Sequence, residues 1–313
     1  MGKLVGKALV VVLVLSSLTG CAFSDPRIFG TPAPPSANPA LTSDLAQAAT
    51  QIQQAWAALA GLASLDPTTD RWAAMADTLK AQWLVLVGPD PINRVSVLNV
   101  DIGPASSLTT IQDGTDAAND TLQTARDSFL DQAKQATGTT AVFWASLACS
   151  AEQIRQGMGG TYNTATPANQ GATIQVLDEK TAVDTLLSRY DEGVFAIRSA
   201  MGFLDPGASG TVSRYQTVLG TVQNDAASLV SVAQGMGITQ DTNPPIYQLP
   251  PGRDADASLA LLTTTQASLV QASAQWVASA ADPTQAITYM MNNATVGMPL
   301  GVGTAVWPGW PDS

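Results

Sequence analysis

The side chains of this 313-residue chain that could do chemistry are few, and their spacing works against them. Histidine is absent, which removes the commonest general base and the commonest metal ligand together. No Ser–His–Asp or Cys–His arrangement can therefore be assembled. Of the two cysteines, Cys149 sits in the apolar stretch Val142-Phe143-Trp144-Ala145-Ser146-Leu147-Ala148-Cys149. A thiol in such surroundings, with no imidazole to activate it, reads as a small core residue and not as a nucleophile. The glutamates are three, Glu152, Glu179 and Glu192, and none has a histidine three residues on, so the Glu-x-x-His of carboxylate-bridged metal bundles cannot be written. Asp225 with Asp184 and Glu192 comes nearest to a hard oxygen site. Most aspartates have a plainer use, because Asp44, Asp66, Asp70, Asp116, Asp254, Asp256 and Asp282 fall near helix starts or turns, where a carboxylate caps free N–H groups. Beyond the first twenty residues the lysines are Lys80, Lys134 and Lys180. Asp77, Asp131 and Leu177 precede them by three, so no Ser-x-x-Lys dyad exists. Gly157-Met158-Gly159-Gly160 has no following Lys-Ser/Thr and reads as a helix terminator, not a phosphate loop. The expectation is no catalytic residue, no metal ligand and no cofactor.

Aromatic and methionine side chains are what is left for binding. Trp276, Tyr289, Met290 and Met291 could line a cavity or an adaptable groove for a partner helix, and Trp307 and Trp310 could dock outward on the stiff Trp307-Pro308-Gly309-Trp310-Pro311 tail. The competing reading places all six in the core, where apolar stripes of helices usually go, with the tail folded over the end of the bundle.

The first residues carry an address. Lys3 and Lys7 precede the apolar run Ala8 to Leu18, which is too short to span a bilayer and has the form of an export signal. It ends in Leu18-Thr19-Gly20-Cys21, which resembles the lipobox of bacterial lipoproteins. That resemblance implies cleavage after residue 20, diacylation of Cys21 and anchorage in the cell membrane on its extracytoplasmic face. Residues 21–41 then form a tether, with Thr31-Pro32-Ala33-Pro34-Pro35-Ser36-Ala37-Asn38-Pro39 extended and partly stiff. The full chain has 14 basic against 25 acidic residues, net −11, and losing Lys3 and Lys7 with the signal takes it to −13. Such a chain has no means of neutralising a phosphate backbone, so nucleic acid is excluded as a partner. The partners expected are the membrane, through the lipid, and a protein of the envelope.

The rest must be helical. Charged residues are only 12% of the chain while apolar ones are 45%, enough to build a core. Apolar spacing of three and four predicts helices from about Thr42, from Trp72 to Leu86, from Asp116 to Gln135 and from Thr139 to Gly157. The same spacing predicts helices over Thr173–Phe203, Thr211–Met236, Ala255–Ala281 and Pro283–Gly297. Each half thus offers two closely joined helices, a long connection (about 88–115 and 237–254) and two more helices. A long second connection is the topology of ferritin-like bundles. Val95 to Ile102 is the nearest approach to a strand and reads as loop.

In the second half the order of helices, the crossover Pro244-Pro245-Ile246-Tyr247-Gln248-Leu249-Pro250 and the closing Trp307-Pro308-Gly309 resemble an actinobacterial family of ferritin-like domains of unknown function. Trp307 stands where that family usually has phenylalanine. The resemblance covers 173–311, is weaker over 42–160, and implies an exported, often lipid-anchored protein without implying an activity. The reading is an all-α protein with an N-terminal helical bundle at 42–160 and a ferritin-like domain at 173–313. Its expected role is non-catalytic binding at the cell envelope; the alternatives are a degenerate metal-binding or redox bundle and a carrier of an apolar ligand.

Overall fold

The structure is a computed structural model that describes residues 43–87, 109–160, 162, 165–166, 173–204, 207, 209–239, 247 and 254–310. It is all-α. The helices are α1 (Ser43–Leu65), α2 (Arg71–Val87), α3 (Ile111–Gln135), α4 (Gly138–Met158), α5 (Glu179–Met201), α6 (Ser209–Gly235), α7 (Ala255–Ser279) and α8 (Thr284–Thr295), followed by a 3-10 turn at Met298–Leu300. No strand forms among the described residues, which hold one isolated bridge between Thr166 and Ala305. The export signal, Leu18, Thr19, Gly20, Cys21, the tether and the stretch Val95 to Ile102 lie outside the described residues, as do most of the two long connections.

Two helix starts differ from the apolar periodicity, and both for a capping reason. α3 begins at Ile111, five residues before Asp116, because the extended Thr110 accepts a hydrogen bond from the Asp113 N–H at 3.1 Å. α5 begins at Glu179 and not at Thr173, because Asp178 accepts from the Thr181 N–H at 3.0 Å. A side-chain oxygen that satisfies a free N–H fixes the first turn more firmly than the apolar pattern upstream of it.

Helix pairing is the same in both halves. α1 packs against α2 and α3, and α3 against α4; correspondingly α5 packs against α6 and α7, and α7 against α8. The second and third helices of each half share no extensive face, so they sit diagonally. Between the halves α4 meets α8, α4 meets α7, and α8 meets α3. Exchanging the halves maps this set of contacts onto itself. α4 consequently has almost no solvent face, with fifteen of its residues buried, including Ala141, Val142, Leu147, Ala148, Cys149 and Ile154. A helix apolar all round belongs inside a protein, and α4 is the central column of a core that runs through both halves.

The end of the chain closes the remaining gap. α2 and α4 touch only slightly, and the space between them takes Tyr162 and the segment 304–307. Gln82 of α2 donates to the Val306 carbonyl at 2.7 Å, Tyr162 and Thr78 share a hydrogen bond of 3.2 Å, and Thr166 exchanges backbone bonds of 2.9 Å with Thr304 and Val306.

Candidate functional site

The six residues singled out for a ligand or partner surface come together, but inside. Trp276, Tyr289, Met290, Trp307 and Trp310 are buried, Met290 completely, and Met291 is half-buried. Trp276 lies on α7 and Tyr289, Met290 and Met291 on α8, beside the seam where those helices meet α4 and α5, whereas Trp307 and Trp310 belong to the segment after the 3-10 turn. Trp276 and Tyr289 lie 5.4 Å apart between ring centres, and Tyr289 meets Tyr190 of α5 edge-on at 6.2 Å. Trp307 stacks on Phe143 of α4 at 5.8 Å and meets Trp310 at 6.5 Å. Met291 receives the Cys149 thiol at 3.3 Å. The seam is thus made of large apolar side chains in mutual contact, and it joins the two halves.

Polar groups in the seam have partners in sequence-remote helices. Tyr190 donates to Asn293 Oδ1 at 3.0 Å, Asn293 Nδ2 donates to Ser273 Oγ at 2.8 Å, and Ser273 donates to the Leu269 carbonyl at 2.8 Å. This relay crosses α5, α8 and α7. Asn293→Leu would strand the buried Tyr190 hydroxyl, and leaving such a group unpaired costs about 1–3 kcal/mol. The variant is expected to melt several degrees lower, whereas Tyr190→Phe with Asn293→Leu recovers part of the loss.

Three buried glutamines hold the chain's end. Gln82 takes Val306, while Gln153 of α4 and Gln266 of α7 both donate to the Ala294 carbonyl, at 2.7 and 3.0 Å. Carbonyls in a helix's last turn have no partner within the helix, and two carboxamides from the facing helices supply one here. Sequence reasoning missed all three. The available signal was a glutamine on an otherwise apolar face, as Gln153 is within α4.

Titratable groups are engaged structurally. Glu152 faces two arginines, Arg126 of α3 at 2.8 Å and Arg155 at 2.7 Å. Partial burial pushes its pKa up, but hydrogen bonds from Arg126 and Gln156 and the two guanidinium charges outweigh this and leave it below the usual glutamate range. Because the folded-state pKa is the lower one, the ion pair stabilises the fold above the ordinary glutamate pKa of about 4.3. That contribution is lost as pH falls through the folded value. Acid titration of Glu152→Gln is expected to show a shallower loss of stability below pH ~4 than the parent. Glu179 accepts from Trp276 Nε1 at 3.3 Å, and Glu192 pairs with Arg189 at 2.6 Å. Asp225 is half-buried, which raises its pKa, and it contacts Asn292 at 3.5 Å. Asp184 and Glu192 do not join it, and among the described residues no three Cys, Asp or Glu side chains converge. Burial pushes the Cys149 thiol far up from its ordinary pKa, so it stays protonated.

Two cavities open among these elements. One of about 50 Å³ lies between α4, α7 and residues 303–310, and an apolar one of about 20 Å³ lies within the second half against Val218, Leu262 and Leu269. Either is far smaller than the roughly 300 Å³ at which sites for organic ligands begin. No described helix is long and apolar enough to cross a membrane. Comparison with family models, with curated proteins and with solved structures finds no match for this chain.

Proposed function

We propose that the protein is a lipid-anchored, extracytoplasmic binding protein of the cell envelope, built from two ferritin-like halves and without catalytic activity. The observation that carries this reading is the engagement of every glutamate in a structural contact: Glu152 with two arginines, Glu179 with an indole, Glu192 with Arg189. A bundle that worked through bridging carboxylates would turn these side chains toward one another. The ferritin-like reading is supported by helix neighbours: in each half the first helix adjoins the second and third, and the second and third lie apart. That order requires a long connection between the second and third helices. The anchor rests on the Leu18-Thr19-Gly20-Cys21 motif.

With the interior occupied by packing, interaction falls to the outer helix faces. These are acidic in places: Asp113, Asp116, Asp120, Asp127 and Asp131 are all exposed on one side of α3. The reading is tested by metal analysis and by substitution. Protein purified from its membrane is expected to carry iron or manganese only in trace amounts. A stoichiometric metal lost on Glu192→Gln would overturn the reading in favour of a metal or redox bundle.

A further inference from the structure

α2 and α6 repeat one pattern. Arg71-Trp72, Met75, Thr78-Leu79 and Gln82 of α2 recur at the same spacing on α6 as Arg214-Tyr215, Val218, Thr221-Val222 and Asp225. The apolar members are used alike: Trp72, Met75 and Leu79 are buried on α2, and Tyr215, Val218 and Val222 on α6. The polar pair differs. Thr78 and Gln82 are buried because Tyr162 and the extended end of the chain lie over them, with Thr78 3.2 Å from the Tyr162 hydroxyl and Gln82 donating to the Val306 carbonyl at 2.7 Å. On α6, Thr221 is exposed and Asp225 half-buried, and the helix has an extensive contact only with α5 and a smaller one with Met298–Leu300. The covering segment has a counterpart in the first half, since Gly297-Met298 with Thr304-Ala305-Val306 repeats Gly157-Met158 with Thr164-Ala165-Thr166. Thr166 of that counterpart bonds instead to Thr304 and Val306 of the covering segment itself.

We propose that the face of α6 carrying Thr221 and Asp225, beside Asn292 of α8, docks an extended segment of an envelope protein that presents a lysine or arginine. This inference rests on the binding role proposed above and gives that role a surface. The form of the guest follows from the same pattern on α2, where the face receives extended backbone. Its chemistry follows from the one change in the pattern: Gln82 donates to a carbonyl, whereas an ionised Asp225 can only accept, so the guest must donate. Asp225 is short of donors within the chain. Asn292 Nδ2 stands 3.5 Å away, beyond the usual 2.7–3.2 Å, and the Tyr190 hydroxyl is committed to Asn293. The titratable groups that face it, Tyr190 of α5 and Tyr289 of α8, carry no positive charge. Burial accordingly holds the Asp225 carboxyl above the usual aspartate range. A cationic side chain laid against it supplies a charge-assisted hydrogen bond and balances the half-buried charge.

A photocrosslinking amino acid installed at position 221 of the anchored full chain tests this in the membrane, with a second at the exposed Asp120 of α3 for comparison. The expected result is one envelope protein crosslinked from position 221, its attachment mapped by peptide mass spectrometry to a segment bearing a lysine or arginine. Asp225→Asn should lower that yield at least about tenfold, because it neutralises one member of a charge pair at an interface. The same variant should melt no lower than the parent, since it removes a half-buried charge and keeps the shape. An unchanged yield with Asp225→Asn would overturn the proposal, as would a crosslink from position 221 into the same chain or a second copy of it. A protein captured from position 120 but not from 221 would overturn this surface and leave the binding role standing. Capture from neither position would overturn both.

Discussion

Trp307→Ala is expected to cost about 3–5 kcal/mol, the range for removing a buried Trp or Phe side chain. Against a total stability of about 5–15 kcal/mol this is at least a fifth and, at the lower end of that range, most of it. The physical reason is the position of the indole. It is buried, stacked on Phe143 of the central helix and set against Trp310, so its loss opens a void at the seam of the two halves. Gly309 makes the same argument in the opposite direction. Its φ of 90° is a left-handed conformation, and a Cβ there would stand 2.7 Å from both Ala274 Cβ and Met290 Cε. Gly309→Ala therefore meets backbone strain of about 1–3 kcal/mol together with overpacking of about 1–3 kcal/mol. Thermal melts of the two variants check both. They should unfold in one transition, because the core is continuous through both halves. Two separate transitions, with α1–α3 retained after the second half melts, would contradict that continuity.

Cys21→Ser is expected to move the protein from the membrane to the released fraction almost completely. A single acyl chain holds a protein only marginally, whereas the diacylated cysteine of a lipoprotein carries two. No described helix offers a second anchor by spanning the bilayer, and a chain at −11, or −13 if the proposed signal is removed, is repelled by anionic headgroups, not drawn to them. Fractionation followed by intact-mass measurement checks this: the parent should carry two or three acyl chains on Cys21, and the variant none. Persistent membrane association of Cys21→Ser would mean that something other than lipid holds the protein there.

The helical class was legible in the sequence because period-3.6 spacing of Ile52, Trp56, Leu59 and their equivalents reports burial directly. Helix starts at Thr110 and Asp178 were legible only as caps, and apolar spacing placed them several residues away. For Trp276, Tyr289, Met290, Met291, Trp307 and Trp310 the residue types were informative but their direction was not. An aromatic stripe looks alike whether it faces a partner or another helix of the same chain, and only the packing of α4 against α7 and α8 decides. The glutamine clamp was hidden for another reason. Gln82, Gln153 and Gln266 are polar letters in helices, read by default as surface, and their partners Val306 and Ala294 are backbone carbonyls that leave no trace in the sequence. Cys149, by contrast, is buried where its apolar neighbours placed it.

Crosslinking in the intact membrane, parent beside Cys21→Ser, tests the proposed role most directly. One recurrent envelope protein is expected to crosslink in near-stoichiometric amount to the anchored parent, and to be lost or markedly reduced with the released variant. A parent that crosslinks to no protein while anchored would contradict a binding role at the membrane surface.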